Sequence, residues 1–413
     1  MLLGGIRYLL PVIKSAHEQG YYVITADYIP DNIAHKYSDE YVNVSIIDKE
    51  AVLAVAKEKQ IDGIMSFGVD PGVVAASYVQ NKLNLPSFGP FKSVEILQNK
   101  DKFRAFLSDN GFNVPWAKGY STEEEVLADA SSFIMPCIVK PTDSAGSKGV
   151  TRVNSLVELG KAIKYAFEHS ISHRIIIEEF IEKEGCSSDS DCFSLNGELK
   201  VVTFSAQRFD ENAAGTYVPA AFSWPSTMSM RQEAELTSEI QRLLSLLHMN
   251  TSIYNIETRV GKNGKPYIME VSPRGGGNRL AEMVRYSTGM DLITACTRAA
   301  VGDSVGDISQ RPLDGHWAEV ILHAEEEGIF DHLDVNDAVK PYVVEPDLWV
   351  SGGDKVEAFD GANHAIGTLV LRFPSSAELE KAMGNIGAWC NVVVRYNTPL
   401  NFKLLRQQIQ ISD

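Results

Sequence analysis

The stretch IYNIETRVGKNGKPYIMEVSPR, residues 253–274, decides how this chain folds and where its chemistry lies. Two apolar runs of alternating character flank Asn263-Gly264, a dipeptide that suits a two-residue hairpin turn. With Lys262 opposite Lys265, Glu257 falls opposite Glu270 and Asn255 opposite Ser272. Alternation then places Tyr254, Ile256, Thr258 and Val260, with Tyr267, Met269 and Val271, on a core-like face. The other face carries Asn255, Glu257, Arg259, Glu270 and Ser272, and Arg274 follows just past the strand end. Two directly opposed carboxylates repel by roughly 0.2–1 kcal/mol at an exposed site, and by more when desolvated. A divalent cation removes that cost, and hard oxygen ligands that leave room for phosphate oxygens suit Mg²⁺. The alternative is a solvated outer face that tolerates the pair.

Working outward, IVKPTDSAGSKGV (138–150) ends one strand at Lys140, passes through glycines and serines, and returns as a strand. Exposed backbone N–H groups in such a loop can fold over phosphates. It is not a Walker A loop, which would read G-x-x-x-x-G-K-[ST] and open a helix; a plain flexible hairpin is the other reading. Residues 93–110 read as one amphipathic helix that offers Lys100 and Lys102, closed by Gly111 and followed by Pro115. The first ninety residues alternate strand and helix, which implies a parallel sheet whose loops near Gly4, Asp27 and Gly68 lie at its ligand-binding carboxyl edge. Strand RIIIEEFI (174–181), a strand-rich stretch with a long helix near 231–248, a helix after the Gly275–Gly277 run, and a β-rich tail complete the order.

A chain of 413 residues exceeds one hydrophobic core, so several packed units are expected. A content of 44% apolar and 22% charged residues fits a soluble globular enzyme. The net charge of −16, with no dense Lys/Arg block, argues against a nucleic-acid partner. Cys137, Cys186, Cys192, Cys296 and Cys390 form no C-x-x-C pair and read as reduced thiols. No run of about 18 apolar residues suggests a membrane span, and no signal peptide is evident. A cytoplasmic location is the expectation.

In this order the segments resemble the ATP-grasp superfamily over nearly the whole chain. The resemblance implies a multi-domain α/β and α+β fold: a Rossmann-like region at 1–92, lysine and glycine-loop subdomains with a hinge at 93–182, a metal and catalytic subdomain at 183–300, and a β-rich region at 301–413. It implies that Lys100, Lys140 and the loop residues Ser144, Gly146, Ser147 and Gly149 contact ATP phosphates. Backbone at Glu179 and Ile181, with the Glu178 side chain, would read adenine. Glu257, Glu270 and Ser272 would hold Mg²⁺ (or Mn²⁺), Ser272 standing where relatives have Asn. The G-x-E that often follows the hinge is absent, leaving Glu184, Asp189 or Asp191 as candidate ribose ligands.

The implied chemistry is ATP-dependent activation of a carboxylate as an acylphosphate, which an amine then attacks, with Arg274 and Lys140 catalytic. The run Gly275, Gly276, Gly277, Asn278 and Arg279 opens a helix, a ready anion site for the substrate; a plain turn is the alternative. With GTYVPA at 215–220, this form looks most like the amino-acid and dipeptide ligase branch. Small-molecule carboxylate and amine substrates and a homodimer are the expected partners. A purine-pathway ligase or a non-catalytic nucleotide-binding regulator are the competing readings.

Overall fold

A computed structural model describes residues 1–144, 148–215, 218–384 and 390–395 of the chain. It divides into two compact units, one formed by 1–208 and 222–319, the other by 209–221 and 320–413. The sequence reading kept 209–221 with the metal subdomain; the contacts place it with the C-terminal unit.

In the first unit, strands Glu40–Asn43, Ile24–Asp27, Leu2–Leu3 and Met65–Ser66 lie side by side in that order, all parallel. The edge strand Glu40–Asn43 is a finding that the alternation did not signal, because none of its four side chains is fully buried. Helix Lys49–Lys59 starts at Asp48, whose side chain accepts from the N–H groups of Glu50 and Ala51. The expected single helix over 93–110 is two, Phe91–Leu97 and Lys100–Asp109. Asn99 makes the break: it adopts an extended conformation and its side chain accepts from Lys102 N, capping the second helix. Lys100 thereby becomes the first residue of a helix.

An antiparallel sheet of Ala117–Tyr120, Ile175–Glu179, Cys137–Pro141 and Thr151–Val153 follows. It has its own core, in which Val139, Val153, Ile175 and Ile177 pack on Leu159, Ile163 and Ala166 of helix Leu156–Glu168. A third sheet orders Glu198–Val201, Ser188–Leu195, Ser252–Val260 and Pro266–Ser272. Its inner face shares one core with the parallel sheet and with helix Met230–Leu246: Leu3, Ile64, Val73, Leu236, Ile240, Tyr254, Ile256, Ile268 and Val271 belong to a single cluster. That shared core makes the parallel sheet a direct neighbour of the hairpin Ser252–Ser272.

The second unit holds an antiparallel sheet of Lys355–Val356, Gly328–Val335 and Cys390–Arg395, and the antiparallel pair Val343–Leu348 and Gly367–Phe373. Among the described residues, no helix is long and apolar enough to cross a membrane. All five cysteines are free thiols, with Cys137, Cys192 and Cys296 buried.

Candidate active site

Glu257 faces Glu270 and Asn255 faces Ser272 across the hairpin, as the alternation requires, but by a different route. The turn is one residue longer than expected: Gly264 N–H donates to Gly261 O, Gly261 N–H donates to Lys265 O, and Gly264 takes φ +74°. This is a three-residue loop with glycine in the left-handed position. It shifts Thr258 opposite Ile268 and Arg259 opposite Tyr267, until a bulge at Met269 restores the register. Two departures cancel before the carboxylates are reached. The consequence for the core is a correction: Ile268, not Tyr267 or Met269, opposes Thr258 on the inner face. Met269 instead presents its carbonyl to Arg104 Nη1 at 2.8 Å.

The carboxylate pair extends onto the neighbouring strand. Asp189 lies opposite Glu257 and Asp191 opposite Asn255, so rows Asp189–Glu257–Glu270 and Asp191–Asn255–Ser272 cross one sheet face. Burial pushes Asp189 up to about 8, with Glu257 adding to the rise; burial pushes Asp191 up to about 7, against the Gly276 N–H that holds it down. Burial raises Glu257 as well, with Arg259 opposing and Glu270 reinforcing the shift. Asn255 Nδ2 donates to Asp189 at 2.6 Å. Asp189 and Asp191, candidate ribose ligands from sequence, thus lie on the strand beside Glu257 and Asn255. Among the described residues no three His, Cys, Asp or Glu side chains converge as a ready cage. Mg²⁺ bound with phosphates needs only one or two protein carboxylates, so the opposed pair fits it. Ser272 Oγ accepts from Gln98 at 2.9 Å and donates to Asp70 at 2.8 Å, which leaves it one lone pair for a cation.

A cationic cluster stands beside this face. Glu178, 2% exposed, accepts from Arg104 Nε at 3.0 Å and from Lys140 Nζ. Burial alone would raise the Glu178 carboxyl, but Arg104 and Lys140 outweigh it and hold it at about 2. Burial, reinforced by Arg104 and Lys100, holds Lys140 below its ordinary value despite Glu178. Two cations share one carboxylate, and the excess positive charge suits a phosphate chain. Lys100 Nζ bonds Ser144 O at 3.2 Å and lies 3.8 Å from Glu270, while Lys100 N–H donates to Thr142 O at 3.1 Å. It joins the start of the glycine loop to Glu270 of the hairpin. Gly146 and Ser147 lie outside the described residues, as do Thr216 and Tyr217 of the 215–220 motif. Gly149 has φ +75°, and a Cβ there would meet Pro141 and His169 at 2.7 and 2.8 Å. At the hinge, Glu179 N–H donates to Trp116 O and Ile181 O accepts from Arg259.

Arg274, buried, makes a two-pronged bond to Asp70, Nε to Oδ1 at 2.8 Å and Nη2 to Oδ2 at 2.7 Å. Burial pushes Asp70 up, yet Arg274 and Ser272 hold it below the carboxylate range. Gly68 N–H donates to Gly275 O at 2.9 Å, and a Cβ on Gly275 would lie 2.1 Å from the Phe67 ring. Gly276 N–H is taken by the Asp191 carboxyl at 2.9 Å, so an internal acceptor already sits on the glycine run. Asn278 Oδ1 accepts from the Tyr8 hydroxyl at 2.7 Å, and Arg279 pairs with Glu282.

Sequence reasoning missed Asp70 and Arg104. Asp70 follows strand Met65–Ser66 at the carboxyl edge where ligands were expected, and Arg104 is one helical turn from Lys100; both signals were present.

A lysine-bearing glycine loop, a carboxylate-bearing hairpin and a parallel sheet with its carboxyl edge at the hairpin's end lie in one compact unit. The chain carries an ATP-grasp domain: residues 133–282 match that family. Among solved structures, the L-amino acid ligase from Bacillus licheniformis is similar at 22% identity, covering 95% of this chain and 98% of that one with a TM-score of 0.77. The phosphoribosylglycinamide synthetase from Anaerococcus prevotii is similar at 19% identity, over 95% and 98% of the two chains, with a TM-score of 0.74. Both likenesses concern the fold. The carbamoyl phosphate synthase large chain of Thermotoga petrophila is 24% identical over 72% of this chain, which spans only 27% of that protein's length.

Proposed function

We propose that the chain is an ATP-dependent carboxylate-amine ligase, acting on amino-acid-like substrates and releasing ADP and phosphate. The observation that carries this reading is Lys100, whose ammonium lies between the glycine loop at Ser144 and Glu270 of the opposed pair. Lys100, Lys140 and the loop Ser144–Gly149 receive the triphosphate, and backbone at Glu179 and Ile181 takes the adenine. Glu257 and Glu270 hold Mg²⁺, which supplies charge neutralisation of the phosphates. Arg104 and Glu178 fix the Lys140 ammonium so that it meets the transferring group without reorganising. Arg274, oriented by Asp70, stabilises the oxyanion formed when the amine attacks, and the Gly275–Arg279 segment seats the carboxylate substrate. No Ser/His or Cys/His nucleophile is needed. A homodimer in the cytoplasm is part of the proposal.

The experiment mixes purified protein with Mg-ATP and pooled amino acids, hydroxy acids and small amines, and measures ADP and phosphate. Substrate-dependent release, lost in Glu270→Gln, is the expected outcome. Unaltered release in that variant, or no binding of Mg-ATP, would sink the reading.

A further inference from the structure

Arg174 immediately precedes strand Ile175–Glu179. Its guanidinium donates through Nη2 to Asp101 Oδ2 at 2.6 Å and through Nη1 to Ser121 Oγ at 2.7 Å. Asp101 is the second residue of helix Lys100–Asp109, next to Lys100. The main chain of Arg174 reaches the same place by a second route. Its carbonyl accepts from Thr142 N–H at 3.1 Å, and Thr142 O accepts from Lys100 N–H at 3.1 Å. Side chain and main chain of one residue thus close a ring through Asp101, Lys100 and Thr142. Thr142 is fully buried, and Asp143 beside it accepts from Ser172 N–H at 2.7 Å and Ile171 N–H at 3.2 Å. The foot of the glycine loop is therefore tied to the turn that carries Arg174.

The ring needs an empty place at position 119. A Cβ on Gly119 would lie 2.6 Å from Asp101 Oδ2 and 2.9 Å from Arg174 Nη2. Gly119 sits inside strand Ala117–Tyr120, opposite Ile176, where no turn calls for glycine. Glycine within a strand weakens it and often marks a place where another group comes close. The atoms admitted here are the ends of two flexible side chains, so the glycine guards the ion pair rather than the path of the backbone. With side-chain exposures of 40% for Arg174 and 19% for Asp101, the pair contributes little to stability. Its effect is one of direction, because a helix start held at Asp101 keeps Lys100 Nζ on Ser144 O.

We propose that Arg174 is a positioning residue for nucleotide binding: through Asp101 and Thr142 it holds Lys100 against the glycine loop, so that the ammonium meets the phosphates already in place. This deepens the ligase reading and rests on it for the phosphate contact of Lys100. Donors that are held before the ligand arrives lose no freedom when it binds, so the gain appears in nucleotide affinity rather than in the melting temperature.

The test is isothermal titration calorimetry with Mg²⁺ and the β,γ-imido analogue of ATP. Wild type is compared with Arg174→Gln, Asp101→Asn, the double variant and Gly119→Ala. Each single substitution is expected to raise Kd about threefold or more, and the double variant no further than the weaker of its two singles, because both remove one interaction. Gly119→Ala should do the same with both charges retained, and Arg174→Lys, which keeps the charge without the fork, should recover part of the loss. Melting temperatures should shift little. Added to Lys100→Met, Arg174→Gln should weaken binding no further. If Arg174→Gln does not fold, Gly119→Ala carries the comparison. Unchanged affinity in the folded variants, or an Arg174→Gln loss that adds in full to that of Lys100→Met, overturns the proposal and leaves the ligase reading standing. Failure of wild type to bind the analogue removes that reading, and the proposal with it.

Discussion

Glu178 sits where sequence resemblance points to an adenine-reading side chain, but its carboxylate is turned onto Arg104 and Lys140. Glu178→Gln keeps the volume and strands two buried cations, so a loss of about 3–5 kcal/mol in chemical denaturation is expected. The pH dependence has a definite sign. Glu178 titrates at about 2 in the fold against 4.5 for an ordinary glutamate, so its stabilisation is present above pH 4.5 and disappears as pH falls toward 2. The stability gap between wild type and Glu178→Gln should close over that window; a gap that stays constant below pH 4 would remove the ion cluster from the account. Lys140, held below its ordinary value, offsets part of the gain. At the opposed pair, Mg²⁺ with ADP should raise the melting temperature of wild type. Glu257→Gln and Glu270→Gln should each melt slightly higher than wild type without metal, by roughly 0.2–1 kcal/mol, and respond much less to Mg²⁺.

At the scale of single elements, the hairpin and the broken helix set the geometry of the site. The left-handed Gly264 (φ +74°) permits the longer turn, so Gly264→Ala is expected to cost about 1 kcal/mol or more by thermal denaturation. A neutral result would mean that residue 264 need not hold the left-handed conformation, since the two-residue type I′ turn would require it as well. Asn99 does similar work one helix earlier. Removing its cap in Asn99→Ala should cost about 1 kcal/mol and weaken Mg-ATP binding, because Lys100 N–H anchors Thr142 and its ammonium anchors Ser144. Unchanged nucleotide affinity in a destabilised Asn99→Ala would confine the cap to a structural role.

Across the first unit, the parallel sheet reaches the end of the carboxylate hairpin through Asp70, and this contact joins residues 204 positions apart. Asp70→Ala leaves the buried Arg274 guanidinium unpaired and Ser272 without its acceptor. A stability loss of about 3 kcal/mol is expected, together with a fall in turnover of about 100-fold or more, in the range seen when an oxyanion-stabilising group is lost. Mg-ATP affinity should change less than turnover, because Asp70 bonds to Arg274 and Ser272 and feels Lys100 only through its charge. A variant that loses nucleotide binding and turnover together would place Asp70 in general packing rather than in orienting Arg274.

The sequence by itself determined the order of elements, the parallel alternation of the first ninety residues, the glycine-loop hairpin, and the meeting of Glu257 with Glu270. Those features rest on short-range rules, period-two alternation and turn residues, which act within a few residues of chain. Even there, the longer turn at Gly264 and the Met269 bulge were illegible, because each shifts the register by one and the two cancel. Only the tertiary structure decided which groups share a charge. Arg274 was legible as a cation at the strand end but not as the partner of Asp70, nor Lys140 as one of two cations on Glu178. The Asp191 carboxyl on Gly276 and the Arg174 guanidinium on Asp101 were equally hidden. Burial and the pairing of buried charge are properties of surfaces brought together by folding, and a linear pattern carries no record of which distant side chain will be there to meet them.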